Sequence, residues 1–438
     1  MKTMIKNVTV ITMDKNMTVY PDGYLIFEND RIAAVGEKTD PDFAGEVIDG
    51  HRGILMPGMI NTHTHIGMIP FRSLGDDCPD RLRRFLFPLE NECMTKKLAC
   101  LSGAYAIAEM LLAGVTCMAD MYYFEDELAL VAKKMGIRAL MGETVINFKT
   151  CDTNEAFGGL AIAEKMLEEM SEDDMLHVMI APHATNTNPQ EILIQVDALS
   201  KKYQVPWMMH VSEMDYEMKE FADQYQMTPV AYLEHIGVLS NRLIMAHGIH
   251  LTDEDIALMA RRQVTLAHCI GANTKAAKGV APVKKLLDTG VAVGLGTDGP
   301  SSGNTLDLFT QMRLAASFHK TWLHDRAAFP ASEIVSLATI GGARALHLDQ
   351  LTGSLEPGKK ADLVIVETDA VNMFPVHDPY AALVYSANAH NVSDVFVNGH
   401  QVVKNKALTS VDLSALKKAL AEEMHFFNEK AKSRSEDL

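Results

Sequence analysis

Two histidines one residue apart, His63 and His65, close the apolar segment that begins at Ile54. In a β-strand, residues i and i+2 project from the same face and lie roughly 6.6 Å apart at Cα, so both imidazoles can reach one divalent ion. With 17 histidines in 438 residues, such a pair also arises by chance or as polar surface. The pair therefore indicates a metal site only if further ligands reach the same place.

Three more residues with ligand chemistry, His210, His247 and Asp298, each follow an apolar run. Glu213 stands three residues beyond His210, where a carboxylate could carry protons to and from a substrate held at a metal. Taken alone, each of these residues could have a purely structural role at a strand end, in a helix cap or in a turn. Their shared position at the ends of apolar runs favours one site that gathers four imidazoles and a carboxylate.

The apolar runs alternate with longer amphipathic stretches, which is the pattern of β/α units around a parallel sheet. Eight candidate strands lie near residues 54–61, 115–120, 138–143, 176–181, 206–210, 242–247, 263–268 and 291–296. Eight units predict a (β/α)8 TIM barrel, whose active sites are built at the carboxyl ends of the strands. The candidate ligands fall at that face.

The two ends of the chain have a different sequence pattern, which predicts short strands separated by turns. We expect residues 1–54 and 355–410 to form one small, discontinuous β-sandwich-like domain, 55–354 the barrel, and 411–438 a C-terminal helix. The fold class predicted is therefore α/β, a TIM barrel with a small β domain.

The net charge and the cysteine pattern restrict which partners and which cellular compartment are expected. The 40 Lys and Arg against 57 Asp and Glu give a net charge of −17, which disfavours nucleic acid and anionic membranes as partners. The six cysteines form no C-x-x-C pair, and no signal peptide or long uncharged apolar run is evident. We expect a cytoplasmic enzyme with a small-molecule substrate and no membrane partner; a homo-oligomer is compatible with the sequence.

Several motifs together resemble the amidohydrolase superfamily and, within it, the branch of methylthioadenosine/S-adenosylhomocysteine deaminases and triazine chlorohydrolases. They are Pro57-Gly58-Met59-Ile60-Asn61-Thr62-His63-Thr64-His65, Gly114-Val115-Thr116, His210-Val211-Ser212-Glu213, Ala246-His247-Gly248 and Gly294-Leu295-Gly296-Thr297-Asp298-Gly299. The resemblance covers nearly the whole chain. It implies metal-dependent hydrolysis of a carbon–nitrogen bond in a cyclic amidine.

The resemblance also implies roles for individual residues. One divalent metal, Zn²⁺ in first place with Fe²⁺ as the alternative, would be held by the set His63, His65, His210 and Asp298. His247 and Asp298 would orient and deprotonate a water, and Glu213 would protonate the ring nitrogen of the substrate. Strand 4 ends in His183 and offers no lysine to bridge a second ion, so one metal is expected. His183 and Glu90 would contact the substrate, as would Glu213.

The substrate is less defined. The family's carboxylate-binding arginine is missing near strand 3, where Glu143 stands instead and could favour a cationic group. Residues 66–91 form a long connection that we expect to act as a lid, with Phe85 and Phe87 able to stack on a planar base. Methylthioadenosine, S-adenosylhomocysteine, adenosine, 5′-deoxyadenosine or a related aminoheterocycle fits a deaminase. The alternatives are a triazine chlorohydrolase and a barrel that binds a metal or metabolite without catalysis.

Overall fold

The computed structural model describes residues 2–37, 43–170 and 173–435. In chain order the strands are β1 (Lys2–Ile11), β2 (Val19–Glu28), β3 (Arg31–Gly36), β4 (Glu46–Asp49), β5 (Ile54–Pro57), β6 (Met59–Thr64), β7 (Val115–Tyr122), β8 (Arg138–Val145), β9 (Leu176–Pro182), β10 (Trp207–Val211), β11 (Leu243–His247), β12 (Thr265–His268), β13 (Val293–Leu295), β14 (Leu363–Val366), β15 (Val392–Val397), β16 (His400–Lys404) and β17 (Ala407–Leu408).

The helices follow the same order. They are α1 (Phe87–Cys93), α2 (Lys96–Leu112), α3 (Glu125–Met135), α4 (Gly159–Glu169), α5 (Gln190–Tyr203), α6 (Asp215–Tyr225), α7 (Pro229–His235), α8 (Asp253–Arg262), α9 (Ile270–Lys275), α10 (Val283–Asp288), α11 (Leu308–Leu323), α12 (Ala331–Ala338), α13 (Ile340–Ala345), α14 (Pro379–Ala381), α15 (Leu413–Glu423) and α16 (His425–Ser435). Among the described ranges, no helix is both long and apolar enough to cross a bilayer.

Strands β6 to β13 lie side by side in sequence order and are parallel where they pair. The last strand returns to the first through the backbone amide of Asp298, which donates to the carbonyl of His63 at 3.0 Å. The strands β7 and β8 are buried along their whole length, because helices cover the outside and side chains fill the inside. The predicted eight-unit barrel is confirmed.

The terminal segments form a second, mixed sheet of nine strands, as predicted. The segment expected as one barrel strand at 54–61 is two strands: β5 pairs with β1 and β14 in this second sheet, and only β6 enters the barrel. Gly58 separates them, and a Cβ there would lie 2.0 Å from the Thr116 hydroxyl, so the chain passes too close to β7 for any side chain.

A buried ion pair ties the second sheet to the barrel floor. The Arg138 side chain on β8 and the Asp362 side chain before β14 are both 0% exposed, with Nε and Oδ2 3.0 Å apart. The Asn398 backbone amide also donates to Asp362 Oδ1 at 2.7 Å. These bonds satisfy two charges that would otherwise be costly to bury.

The C-terminal stretch predicted as one helix is two, α15 and α16. The second helix packs on α1 and places the fully buried Phe427 ring 4.7 Å from that of Phe71. Phe71 lies at the start of the long connection after β6. The C-terminal helices therefore support the segment that was expected to cover the site.

Candidate active site

The carboxyl ends of three barrel strands, β6, β10 and β11, bring four histidines together. The ring of His63 lies 4.8 Å from that of His65, 5.0 Å from that of His210 and 5.6 Å from that of His247, centre to centre. Asp298 joins them, with Oδ1 3.3 Å from His65 Nε2. Ligand atoms in each of two overlapping groups, His63 with His210 and His247, and His63 with His65 and Asp298, lie within 4.8 Å of one another. All five predicted residues therefore meet.

Hydrogen bonds behind the rings set which nitrogen faces this centre. His65 Nδ1 contacts the Met121 carbonyl at 2.5 Å, and His210 Nδ1 contacts the His183 carbonyl at 2.6 Å. A carbonyl only accepts, so each Nδ1 carries a proton, and Nε2 is the nitrogen that remains for a metal. His247 Nδ1 is 2.8 Å from Asn273 Oδ1 in the same arrangement. Partners of this kind orient metal-ligating histidines.

His63 provides a direct test of whether these residues fit a metal. Its side chain is buried, and its Nε2 has no hydrogen-bond partner among the described residues. Leaving such a nitrogen unsatisfied costs roughly 1–3 kcal/mol, which a bound cation would offset. Imidazole nitrogens with a carboxylate oxygen form the donor set that zinc and iron(II) accept. The residues fit one divalent ion.

The backbone is also unusual at this centre. His247 has φ of 72° and Asp298 has φ of 58°, the left-handed region that non-glycine residues rarely adopt. Asp298 Oδ1 accepts from the Gly299 amide at 2.6 Å, which helps to hold this conformation. Left-handed residues of this kind cluster where surrounding structure directs a side chain into a functional site.

Glu213 lies beside the histidines, with Oε1 3.7 Å from His247 Nε2. Glu217 shapes the turn that places it, because the Glu217 carboxylate accepts from the backbone amides of Ser212 and Glu213, each at 2.9 Å. The ammonium of Lys278 donates to Glu213 Oε1. Burial raises the pKa of Glu213, but the combined effects of His247, Lys278 and His210 outweigh it and hold the pKa of this carboxyl below the ordinary value.

Sequence reasoning missed Lys278. No role was predicted for this lysine, which lies in the segment between α9 and α10. The signal available was a lysine among small and apolar residues in a loop at the active face. The contact between Glu213 and Lys278 could be found only from the structure, because the two residues are 65 positions apart in the sequence.

A cavity of about 590 Å³ opens above the histidines. Glu90 and His183, both predicted to touch substrate, line it together with Phe87. Burial raises the pKa of Glu90 to about 7, against smaller lowering effects of the Tyr122 hydroxyl and of His65. Burial likewise lowers the pKa of His183 to about 4, so its ring is neutral near pH 7. The volume is in the range of sites for small organic ligands.

The long connection after β6 covers this cavity in part. Its residues Asp76 and Arg81 face the cavity and are joined to each other at 3.2 Å, and Arg81 also donates to the Ser301 carbonyl at 2.5 Å. Phe87 lines the cavity as expected, but Phe85 is fully buried in the hydrophobic core and does not. The stacking role expected of Phe85 is therefore wrong.

The residue in place of the missing arginine has another role than expected. Glu143 is fully buried, does not line the cavity, and accepts from the backbone amide of Glu125 at 2.9 Å. Its carboxylate caps the first residue of α3 and does not contact the substrate cavity. A guanidinium does reach the cavity from the lid, on Arg83.

A parallel barrel that gathers four histidines and one aspartate at its strand ends defines the class of metal-dependent barrel hydrolases. The family model described as the amidohydrolase family matches residues 54–402. The chain therefore belongs to the amidohydrolase family, and the predicted resemblance is confirmed.

Relatives with similar sequences or structures carry related activities in their names. The chain is 36% identical over 413 residues to 5-methylthioadenosine/S-adenosylhomocysteine deaminase 1 of Syntrophus aciditrophicus, covering 93% of each chain. It is similar to the crystal structure of an adenosine deaminase from Xanthomonas campestris with bound zinc, with TM-score 0.95, 32% identity and 98% of each chain covered. Atrazine chlorohydrolase TrzN from Arthrobacter aurescens, complexed with zinc, matches with TM-score 0.89, 25% identity and coverage of 96% and 100%.

Proposed function

We propose that this protein is a zinc-dependent hydrolytic deaminase, located in the cytoplasm, that releases ammonia from an adenosine-like nucleoside or a related aminoheterocycle. The observation that carries the proposal is the meeting of four imidazoles and one carboxylate at the floor of a nucleoside-sized cavity. The deaminase names of the relatives support the reaction class. The six cysteines are free thiols, which is compatible with a reducing compartment.

In this proposal the metal is held by His63, His65, His210 and Asp298. The buried, unpartnered Nε2 of His63 and the fixed Nδ1 protons of His65 and His210 support that assignment. The zinc named in the two solved structures supports zinc over iron(II), which accepts the same donors. When bound, such an ion lowers the pKa of water toward neutrality and so provides a nucleophile.

The protein's own groups would move the protons. Asp298, with one oxygen held by the Gly299 amide, would accept a proton from the attacking water and return it to the departing amine. His247, whose Nδ1 is held by Asn273 Oδ1, would orient that water through Nε2. Glu213 would carry the other proton to the ring nitrogen next to the amine-bearing carbon. The carbon then gains a bond to oxygen, loses its bond to nitrogen, and ammonia leaves.

Glu90, His183 and Glu213 would bind the substrate. Glu90 is a buried acceptor at the cavity wall, suited to a hydroxyl group such as that of ribose, and the His183 ring lies 5.0 Å from that of His210. Phe87 offers an aromatic face to a planar base. Arg83 at the lid provides a cation for an acidic tail, so S-adenosylhomocysteine stays among the candidate substrates with methylthioadenosine, adenosine and 5′-deoxyadenosine.

The test is a metal-analysed sample of the full chain, assayed for ammonia release from these four nucleosides and from aminotriazines. The Glu213→Gln variant removes the proton carrier and should lower the rate of ammonia release by about 100-fold or more. Glu220→Gln, an exposed acid on α6, is the matched control and should keep the wild-type rate. Ammonia release at the wild-type rate by the Glu213→Gln variant would contradict the mechanism.

The similarity to an atrazine chlorohydrolase gives a second candidate, hydrolytic dechlorination of a triazine. Chloride leaves without a proton, so the Glu213→Gln variant should keep much more chloride release than ammonia release. Chloride release from a chlorotriazine, with no ammonia from any nucleoside, would favour this candidate over the deaminase.

A further inference from the structure

The segment after β12 carries partners for two of the proposed reactive groups, His247 and Glu213. Asn273 on α9 holds the His247 ring, with Oδ1 2.8 Å from Nδ1. The ammonium of Lys278, three positions past the end of α9, donates to Glu213 Oε1. The two partners are joined to each other, because the Lys278 backbone amide donates to the Asn273 carbonyl at 2.9 Å. One short segment therefore contacts both reactive groups.

The backbone around Lys278 directs its side chain into the cavity. Ala277 has φ of 55° and Gly279 has φ of 127°, so the chain turns sharply on either side of the lysine. A Cβ on Gly279 would lie 2.9 Å from Cγ2 of Ile249, so the loop packs closely on the residues that follow β11. The side chains of Lys278 and Glu213 both line the cavity and are only 21% and 17% exposed. The loop thus fixes the lysine through backbone contacts that do not involve Glu213.

Lys278 is also the contact that orients the Glu213 carboxylate. Glu217 fixes only the backbone of Glu213, through its amide. Within the described ranges no other donor bonds to the Glu213 side chain, and His247 Nε2, at 3.7 Å from Oε1, lies beyond hydrogen-bond range. A glutamate side chain has several rotatable bonds, so without the ammonium its carboxylate would spread over several rotamers in a cavity of about 590 Å³.

The role proposed for Glu213 requires the form that an ammonium stabilises. Glu213 takes one proton from the attacking water and gives it to the ring nitrogen, so it is a carboxylate both before and after the reaction. A carboxyl that was protonated at rest could not accept the water proton. An adjacent cation favours the ionised form, and a charge-assisted hydrogen bond holds it in one orientation.

We propose that Lys278 is a positioning residue for catalysis: its ammonium holds the Glu213 carboxylate beside His247, where it can pass a proton to the ring nitrogen. This inference rests on the deaminase function proposed above. Lys278 acts through Glu213 and needs no contact with the substrate. Its loss therefore slows the reaction of a bound substrate more than it weakens substrate binding.

The first measurement is steady-state ammonia release by the full-length, metal-loaded protein from the nucleoside that the wild type deaminates fastest. We expect Lys278→Met to lower kcat roughly 10- to 100-fold. KM should change much less, because Glu90 and His183 still bind the substrate. Lys285→Met is the matched control and should keep the wild-type kcat, because Lys285 pairs with Asp253 at 2.7 Å and does not line the cavity. A wild-type kcat for Lys278→Met overturns the inference and leaves the deaminase proposal intact.

A double-mutant cycle tests whether Lys278 acts through Glu213. In the Glu213→Gln background, Lys278→Met should leave kcat within roughly twofold of that of Glu213→Gln alone, because no carboxylate is left to position. A merely structural role gives a different result. If Lys278→Met lowers kcat by the same factor in both backgrounds, the lysine acts independently of Glu213 and the inference is overturned.

Crystal structures of the wild type and of Lys278→Met test the same claim without any activity. In the wild type the Glu213 carboxylate should lie beside His247, and in the variant it should leave that place or occupy several rotamers. A carboxylate that keeps its wild-type position in the variant overturns the inference. If the wild type releases no ammonia from any nucleoside, the proposed function fails, and this comparison of structures decides the positioning role by itself.

Discussion

The contact between Asn273 and His247 gives a prediction that depends on one hydrogen bond. Asn273 Oδ1 lies 2.8 Å from His247 Nδ1, and both residues are almost fully buried. Among the described residues, the Asn273 amide oxygen is the acceptor for a proton on His247 Nδ1. This bond leaves Nε2 as the ring nitrogen that faces the site. Asn273→Ala removes that acceptor, and the ring can then turn or carry its proton on the other nitrogen.

The magnitude follows from the position of the bond. Loss of a partner behind a histidine in a metal site costs about 10- to 100-fold in activity or metal affinity. At 1.36 kcal/mol for each factor of ten, this corresponds to about 1.4–2.7 kcal/mol. The Asn273 Nδ2 atom has no hydrogen-bond partner among the described residues, so the substitution strands no donor or acceptor on that side.

The assay is steady-state ammonia release, with metal content measured on the same sample. We expect kcat/KM of Asn273→Ala to fall 10- to 100-fold, mainly through kcat, because the affected ring acts on the attacking water. Asn391→Ala removes a buried asparagine that bonds to Asn372 and lies outside the site, and it serves as the control for loss of stability. Wild-type kcat/KM in a folded Asn273→Ala sample would refute the role given to this contact.

Three further predictions concern the metal, pH and stability. His63→Ala should reduce the bound metal, measured by elemental analysis, to well below one ion per chain, whereas His177→Ala, at the opposite end of β9, should not. Glu90 becomes a carboxylate as pH rises through about 7, so kcat/KM for hydroxyl-bearing nucleosides should rise across that range, and Glu90→Gln should flatten the profile. Asp362→Ala leaves the Arg138 guanidinium buried and unpaired and should lower the free energy of unfolding by about 3–5 kcal/mol in urea titrations, against less than about 1 kcal/mol for removal of an exposed ion pair.

The sequence was sufficient to predict the barrel and the meeting of His63, His65, His210, His247 and Asp298. The reason is geometric: parallel strands in sequence order put all their carboxyl ends on one face, so a polar residue after each apolar run lands near the others. The division of the segment at 54–61 was not predictable in this way, because apolar content continues on both sides of Gly58 and the close approach of the Gly58 backbone to Thr116 is seen only in the structure.

The side-chain contacts of loop residues could not be predicted from the sequence pattern. Lys278 pairs with Glu213, and Phe85 turns into the core while Phe87 faces the cavity. Neither fact follows from strand or helix periodicity, because loop side chains take their direction from whatever packs against them. Glu143 shows the same limit, since its place in the sequence suggested a substrate contact and its burial under α3 gives a structural one.

The packing of α16 against α1 has a practical consequence. Phe427 packs against Phe71, and Arg434 pairs with Glu92 on α1. Residues of α16 therefore support α1, which forms part of the cavity wall. Truncation of α16 or a bulky fusion to it would loosen the entrance without altering any residue that touches the metal or the reacting ring. Kinetic constants of tagged preparations are therefore best compared with those of untagged protein before differences in substrate preference are attributed to the pocket itself.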